Sequence, residues 1–413
     1  MAVQHAPNDW IDSSHALRRL LATLMVIALG NGAMYVVSVV LPAVQREFGV
    51  SRAQAALPYT LLMLGFGMGG ILMGKVADRH GVMRPLLLGG VATCMGYAFA
   101  AHAANLWTFS LAHGLILGLL GSAVTFAPLM ADTAQWWNRR RGIAVAVCAS
   151  GNYLAGAFWP PIVQWGVEHH GWRDTYQMLG LVCGGGMLLL SLAFRTRPPK
   201  NLSSPVGAPV SLTSWASDTP LGLTRMRALG LLSVAGVACC VAMSMPQVHI
   251  VAYCTDLGFG PARGAEMLSL MLASGIVSRL VSGYICDRIG GLRTLLLGSM
   301  LQGTALLLFL PFDGLAALYV ASALFGLFQG GIVPSYAIIV REYFPPARAG
   351  VQTGTVIMAT LLGMALGGWM SGAIFDATGS YKAAFVNGIA WNLLNLAIAT
   401  YFFRRARVLG QLR

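Results

Sequence analysis

Arg279 is the residue in this chain whose type and position could do the most chemistry. It lies between Ser278 and Leu280 in an apolar run, 266–285, eight positions before the polar turn Asp287-Arg288. At 1.5 Å rise per residue it sits roughly 12 Å inside the end of a helix. A guanidinium at that depth is costly and is tolerated mainly against a bundle interior or an aqueous cavity. There its planar fork suits two-pronged binding of a carboxylate. The structural alternative is an arginine that pairs with a helix C-terminus or snorkels to the membrane edge. Helical spacing sets Met271, Gly275, Ser278 and Ser282 on its face, small and polar enough to border a cavity.

Further polar residues sit inside apolar runs. Asn31 and Tyr35 are one turn apart in the first run, and Asn152 lies near the middle of the fifth. Gln329 and Tyr336 belong to the tenth. Each can orient a carboxylate or hydroxyl, although Asn also joins helices and Tyr also packs. His249, beyond Pro246, and His113 are candidates for proton exchange, the alternative being a satisfied interhelical hydrogen bond. The runs hold no certain Asp, Glu or Lys. One fixed positive charge fits a single carboxylate better than a dicarboxylate or phosphate ester, and the lack of an acidic partner disfavours a cation exporter. The seven cysteines show no metal-ligand spacing, so free thiols and no metal or other cofactor are expected.

The elements that must position these residues are membrane helices. Of 413 residues, 56% are hydrophobic and 10% charged, against roughly 25% charged in soluble proteins. Apolar runs recur at 20–42, 54–74, 85–102, 106–131, 142–165, 175–194, 228–252, 266–285, 293–311, 315–340, 350–374 and 382–403. They are too long and uniformly apolar for the alternating strands of a barrel. With the N-terminus inside, 21 of the 27 basic residues fall in cytoplasmic segments and 5 outside, Arg279 being the remaining one. That is the positive-inside pattern with both termini cytoplasmic. Anionic lipid, rather than nucleic acid, explains the net charge of +13. The polar start, residues 1–17, needs no cleavable signal, and the expected location is a bacterial inner (plasma) membrane.

The chain repeats itself. Gly74-Lys75-Val76-Ala77-Asp78-Arg79-His80-Gly81 is echoed by Gly283-Tyr284-Ile285-Cys286-Asp287-Arg288-Ile289-Gly290 at an offset of 209, with Arg84 and Arg293 following their copies. Gly171-Trp172-Arg173-Asp174 matches Gly379-Ser380-Tyr381-Lys382 at 208. Common spacing and order indicate internal duplication. The expected fold is therefore an all-α polytopic membrane protein of twelve transmembrane helices in two parallel-repeat six-helix bundles. Residues 1–194 form the first bundle, 195–227 a cytoplasmic linker and 228–413 the second, with a substrate site where the halves meet. Asp78, Arg79 and Arg84, with Asp132 as partner, and Asp287, Arg288 and Arg293, with Glu342, read as a cytoplasmic gate of exchangeable ion pairs. Nothing has a catalytic arrangement, so an enzyme is not expected.

The two motif copies and the 6+6 layout around a basic linker resemble the major facilitator superfamily over residues 18–405. The resemblance implies alternating access by rocking of the halves, usually in a monomer. Within that superfamily, Ser278-Arg279-Leu280-Val281-Ser282-Gly283 resembles the monocarboxylate transporters and their bacterial oxalate/formate exchanger relatives. It implies that Arg279 partners the substrate carboxylate. The animal carriers' acidic residue one turn earlier is replaced by Gly275, and their first-span acidic-glycine motif by Gly30-Asn31-Gly32. The eleventh span lacks the second basic residue associated with oxalate exchange, which favours a monocarboxylate. The expected function is secondary transport of a small, lactate- or pyruvate-like monocarboxylate together with a proton. Protonation could fall on the substrate, His249 or water. An organic-anion exchanger, an exporter of a larger acidic metabolite and a non-transporting receptor are the alternatives.

Overall fold

The computed structural model describes residues 8–197, 220–345 and 349–412. The expected linker 195–227 falls largely outside them. Its described end forms a 3-10 turn, Pro220–Gly222, before a helix beginning at Arg225. All twelve predicted segments lie largely in helix, and there is no extended strand among the described residues.

Among the described residues, ten helical stretches are long and apolar enough to cross a membrane. One of them, Gly142–Phe194, is 53 residues long and turns at Gly171 (φ 78°), so it carries both the fifth and sixth predicted spans. The predicted third span is the helix Met83–Ala101, which carries Arg84 and Pro85 in its first turn. Bulky apolar side chains such as Leu181 (75% exposed) and Leu189 (73%) point away from the protein. In water they would drive association; in a bilayer they meet their solvent.

The chain packs into two compact units. One holds the described residues of Met1–Pro205 together with Val251–Leu272; the other holds those of Val206–Ile250 with Ala273–Arg413. The segment Val251–Leu272, expected in the second bundle, thus packs with the first unit. Arg52 donates to both oxygens of Asp256 (3.1 and 3.2 Å), and the Ser269 hydroxyl donates to the Ala157 carbonyl.

In the first unit the first span is two helices, Ser14–Gly30 and Gly32–Phe48, broken at Asn31 (φ −89°, ψ 1°). The fourth span is broken more severely. A π-helical stretch, Ala112–Gly121, gives way to a 3-10 turn, Ser122–Thr125, and then to a helix, Ala127–Gln135. In the second unit the tenth span breaks between Leu315–Gln329 and Ile332–Tyr343. Gly121-Ser122 and Gly330-Gly331 stand 209 apart, so the fourth and tenth spans break at equivalent places. Gly81 (φ 78°, ψ 165°) and Gly290 (φ 82°, ψ 166°) end the second and eighth spans in one shared conformation. Side chains other than glycine rarely adopt it. The duplication seen in the letters is thus repeated in the backbone.

All seven cysteines are free; six are buried and Cys94 is half-buried.

Candidate substrate-binding site

Arg279 lies in the helix Pro261–Ile289 and is half-buried. Its turn is built against the break of the tenth span. Gly330 donates its backbone N–H to Ser278 Oγ (3.1 Å). A Cβ at Gly330 would come within 2.7 Å of the Gly275 carbonyl oxygen and 2.8 Å of the Arg279 backbone nitrogen. A Cβ at Gly331 would meet the Ser282 side chain at 2.2 Å. Gly275, Ser278 and Ser282, the small face expected from helical spacing, therefore seat the break rather than merely border a void. Interrupted helices free backbone groups at membrane depth, and the Ser278 hydroxyl takes up one of them.

Gln329, the residue before this break, is completely buried and accepts a hydrogen bond from Gln247 Nε2 (3.1 Å). Its own Nε2 has no hydrogen-bond partner among the described residues. Gln247 was not anticipated. A neutral amide in an apolar run reads as helix-joining glue, and the signal that could have singled it out is that Ser38 stands at its repeat position.

The first-unit candidates form a separate cluster. Ser122 Oγ donates to the Gly30 carbonyl (2.7 Å) and Thr125 Oγ1 to Asn31 Oδ1 (2.9 Å), locking the break of the first span onto that of the fourth. Asn31 is completely buried, and its Nδ2 has no partner among the described residues. Tyr35 is buried with its ring against Gly156 of the fifth span. Asn152 is half-buried, its Oδ1 likewise unpartnered. Ser122 and Thr125 were missed because a hydroxyl in a glycine-rich apolar run gives no local sign of a broken helix.

Three further candidates are hydrogen-bonded to other spans. Tyr336 is completely buried, its single hydroxyl proton shared between two acceptors, the Ala235 carbonyl (3.0 Å) and Asn395 Oδ1 (2.8 Å). Asn395 in turn donates to Ser299 (2.8 Å), so Tyr336 belongs to a network joining the seventh, ninth, tenth and twelfth spans. His249 Nε2 donates to the Gly368 carbonyl (2.8 Å) while Nδ1 accepts from the Tyr381 hydroxyl (3.1 Å). His113 Nδ1 donates to the Phe109 carbonyl (2.8 Å) and Nε2 accepts from Tyr176 (3.1 Å). A carbonyl can only accept, which assigns the donor nitrogen in each ring. Both imidazoles are engaged at both nitrogens, as structural histidines are.

The expected gate is largely open to solvent. Asp78, Arg79, Arg84, Asp287, Arg288 and Arg293 are exposed. None of the six forms an ion pair among the described residues. The Arg288 guanidinium stacks over Tyr284 at 4.3 Å. Glu342 accepts from the Gly291 backbone N–H (3.1 and 3.2 Å to its two oxygens), capping the ninth span. Asp132, expected to serve Arg79 or Arg84, is instead gripped through both oxygens by Arg19 (2.9 and 3.0 Å).

Residues 21–315 and 267–411 match the family described as the Major Facilitator Superfamily. Monocarboxylate transporter 13 of Bos taurus is 30% identical over 336 residues, covering 80% of this chain and 75% of that protein. Monocarboxylate transporter 11 of Mus musculus is 28% identical over 384 residues, covering 88% and 82%. A bacterial homologue of the human lysosomal transporter Spinster, solved in an inward-facing, unoccupied conformation, shares the fold with a TM-score of 0.73 at 14% identity, covering 97% of this chain and 99% of that one. The peptide transporter POT does so with a TM-score of 0.72, also at 14% identity, over 94% and 95%. A helical polytopic chain that duplicates its motifs at a near-constant offset, breaks equivalent spans and aligns along most of its length with such relatives belongs to the major facilitator superfamily, among its monocarboxylate-transporter-like members.

Proposed function

We propose that the chain is a secondary active transporter of a small monocarboxylate, lactate- or pyruvate-like, working by proton symport and alternating access. The observation that carries this reading is Arg279. It is a single arginine deep in an apolar span, its turn held by Gly330 and Ser278, in a chain whose relatives bear the name monocarboxylate transporter. The guanidinium takes the carboxylate two-pronged, which fixes the anion's plane as well as its charge. Gly70 occupies the repeat position of Arg279, so the charge belongs to the cargo and not to the scaffold. Moving H⁺ with the anion makes the cycle electroneutral and avoids working against about 2.3 kcal/mol per 100 mV. The exposed Asp78 and Asp287 motif groups change partners as the carrier passes between states, with both termini in the cytoplasm.

Exchange of one organic anion for another is the second reading. It is favoured by His113 and His249, whose ring nitrogens are all engaged, and by Gly275 where an acidic relay would stand.

The test is direct binding on monodisperse purified protein, joined to flux in proteoliposomes. Arg279→Gln is expected to lose about 2–5 kcal/mol of monocarboxylate binding, tens- to thousands-fold in Kd. Arg279→Lys keeps the charge without the fork and is also severely impaired. Wild-type uptake rises when the outside is acidified and falls with a protonophore. Wild-type affinity in Arg279→Gln overturns the anion site. Uptake that ignores pH and requires internal anion replaces symport with exchange.

A further inference from the structure

The reading of Arg279 as the carboxylate's partner leaves a neighbouring pair of buried amides without a role. Gln247 (6% exposed) and Gln329 (completely buried) share one hydrogen bond of 3.1 Å. A carboxamide carries two N–H donors and an oxygen with two lone pairs, so one mutual bond leaves most of the pair's capacity unused. The amino group of Gln329 has no partner among the described residues, although burial removes it from solvent. A buried donor left unmade costs the full desolvation of the group, so such an orphan is rarely kept without use.

Position ties the pair to the arginine. Gln329 is the last residue before Gly330, which donates to Ser278 and lies in contact with the Arg279 backbone. Gln329 is thus next in sequence to the glycine that packs on the turn carrying Arg279. The three side chains also share an absence. At the repeat offset of 209 the first half has Gly70 for Arg279, Leu120 for Gln329 and Ser38 for Gln247. The scaffold is duplicated, but this polar trio is not.

We infer that the Gln247–Gln329 pair is a specificity element of the same site, reading the oxygen at the 2-position of a 2-oxo or 2-hydroxy monocarboxylate. In such acids the second oxygen sits on the carbon next to the carboxylate, so its reader must stand beside the carboxylate's partner. As placed, the unused amide N–H is a donor, and both keto and hydroxyl oxygens accept from it. An acid with no oxygen at that carbon leaves the donor buried and unmade, and the site discriminates against it. The inference rests on the carboxylate reading of Arg279, and the experiment separates the two.

Binding of pyruvate, lactate and propionate is measured on the purified full-length protein, wild type beside Gln329→Met and Gln247→Met. Methionine nearly conserves the side-chain volume. Wild-type protein is expected to prefer pyruvate and lactate over propionate by about tenfold, the worth of one such hydrogen bond. In each variant that preference falls to near one. A wild-type protein with no preference overturns the inference whether or not the variants fold, and so does a folded variant that keeps the wild-type ratio. Arg279→Gln supplies the separate reading. If it still binds all three acids as wild type does, the carboxylate site falls; if it loses all three while the glutamine variants keep their ratio, the amide inference alone falls.

Discussion

Arg19 donates through Nε and Nη2 to Asp132 and through Nη1 to the Ala193 carbonyl (3.2 Å), while its guanidinium carbon lies 4.5 Å from the Trp136 ring and 4.7 Å from Phe194. Both charged side chains are nearly solvent-free, at 4% and 3% exposure. Burial on this scale makes the pair valuable only while both members are present. Asp132→Asn strands the Arg19 charge and is expected to cost about 3–5 kcal/mol, whereas Arg19→Met with Asp132→Leu recovers most of that loss. Thermal melting of the purified protein in detergent reads both, and a single variant that melts with the wild type shows the pair to be dispensable. The sequence reading gave Asp132 to the motif arginines because it stands at the inner end of the fourth span. Helix beginning at Ser14 instead carries Arg19 inward among aromatic rings.

Helix breaks decide where the candidate side chains stand. Gly330 permits the tenth span to touch the arginine turn, and the atoms a Cβ would meet there are backbone atoms of Gly275 and Arg279, which cannot swing aside. Gly330→Ala is therefore expected to lower monocarboxylate affinity by roughly tenfold to a hundredfold, about 1–3 kcal/mol of overpacking. Gly230→Ala, with nothing within 4 Å, is the control and should bind as wild type does. Equal binding in both variants would detach the break from the site. Spans and duplication were legible in the sequence, because apolar length and repeated motifs are local signals. The breaks at Asn31, Ala112–Gly121 and Gly330 were not. Their sequences stay apolar and glycine-rich throughout, and the groups that stabilise them come from other spans, Ser122 for Gly30 and Ser278 for Gly330. The partners of Tyr336 were hidden for the same reason, since Ala235 and Asn395 lie far away in sequence.

Across the whole molecule, the two halves share a frame and differ in what they hold. Gly81 and Gly290 turn alike, the fourth and tenth spans break alike, and the second and eighth spans end in the same exposed Asp-Arg pair. A shared frame suits a carrier that must occupy two states of similar energy, for then neither state is over-stabilised. Neutralising one exposed charge should shift that balance without unfolding the protein. Asp78→Asn and Asp287→Asn are each expected to slow transport several-fold while melting like the wild type. Unchanged transport, together with unchanged accessibility of reporter cysteines from both sides of the membrane, would remove these residues from the gate.

The cysteines give that measurement a practical form. Six of the seven thiols are buried, and a thiol shielded in apolar surroundings reacts slowly with alkylating reagents. The natural chain is therefore already close to a silent background for thiol-directed spin or fluorescent labels. Replacing Cys94 by serine removes the half-buried exception, and a cysteine then introduced at exposed Arg79 or Arg288 would carry the signal almost alone. Distances between such labels could be followed during turnover in a protein that has kept its interior sulfur, and with it its native packing.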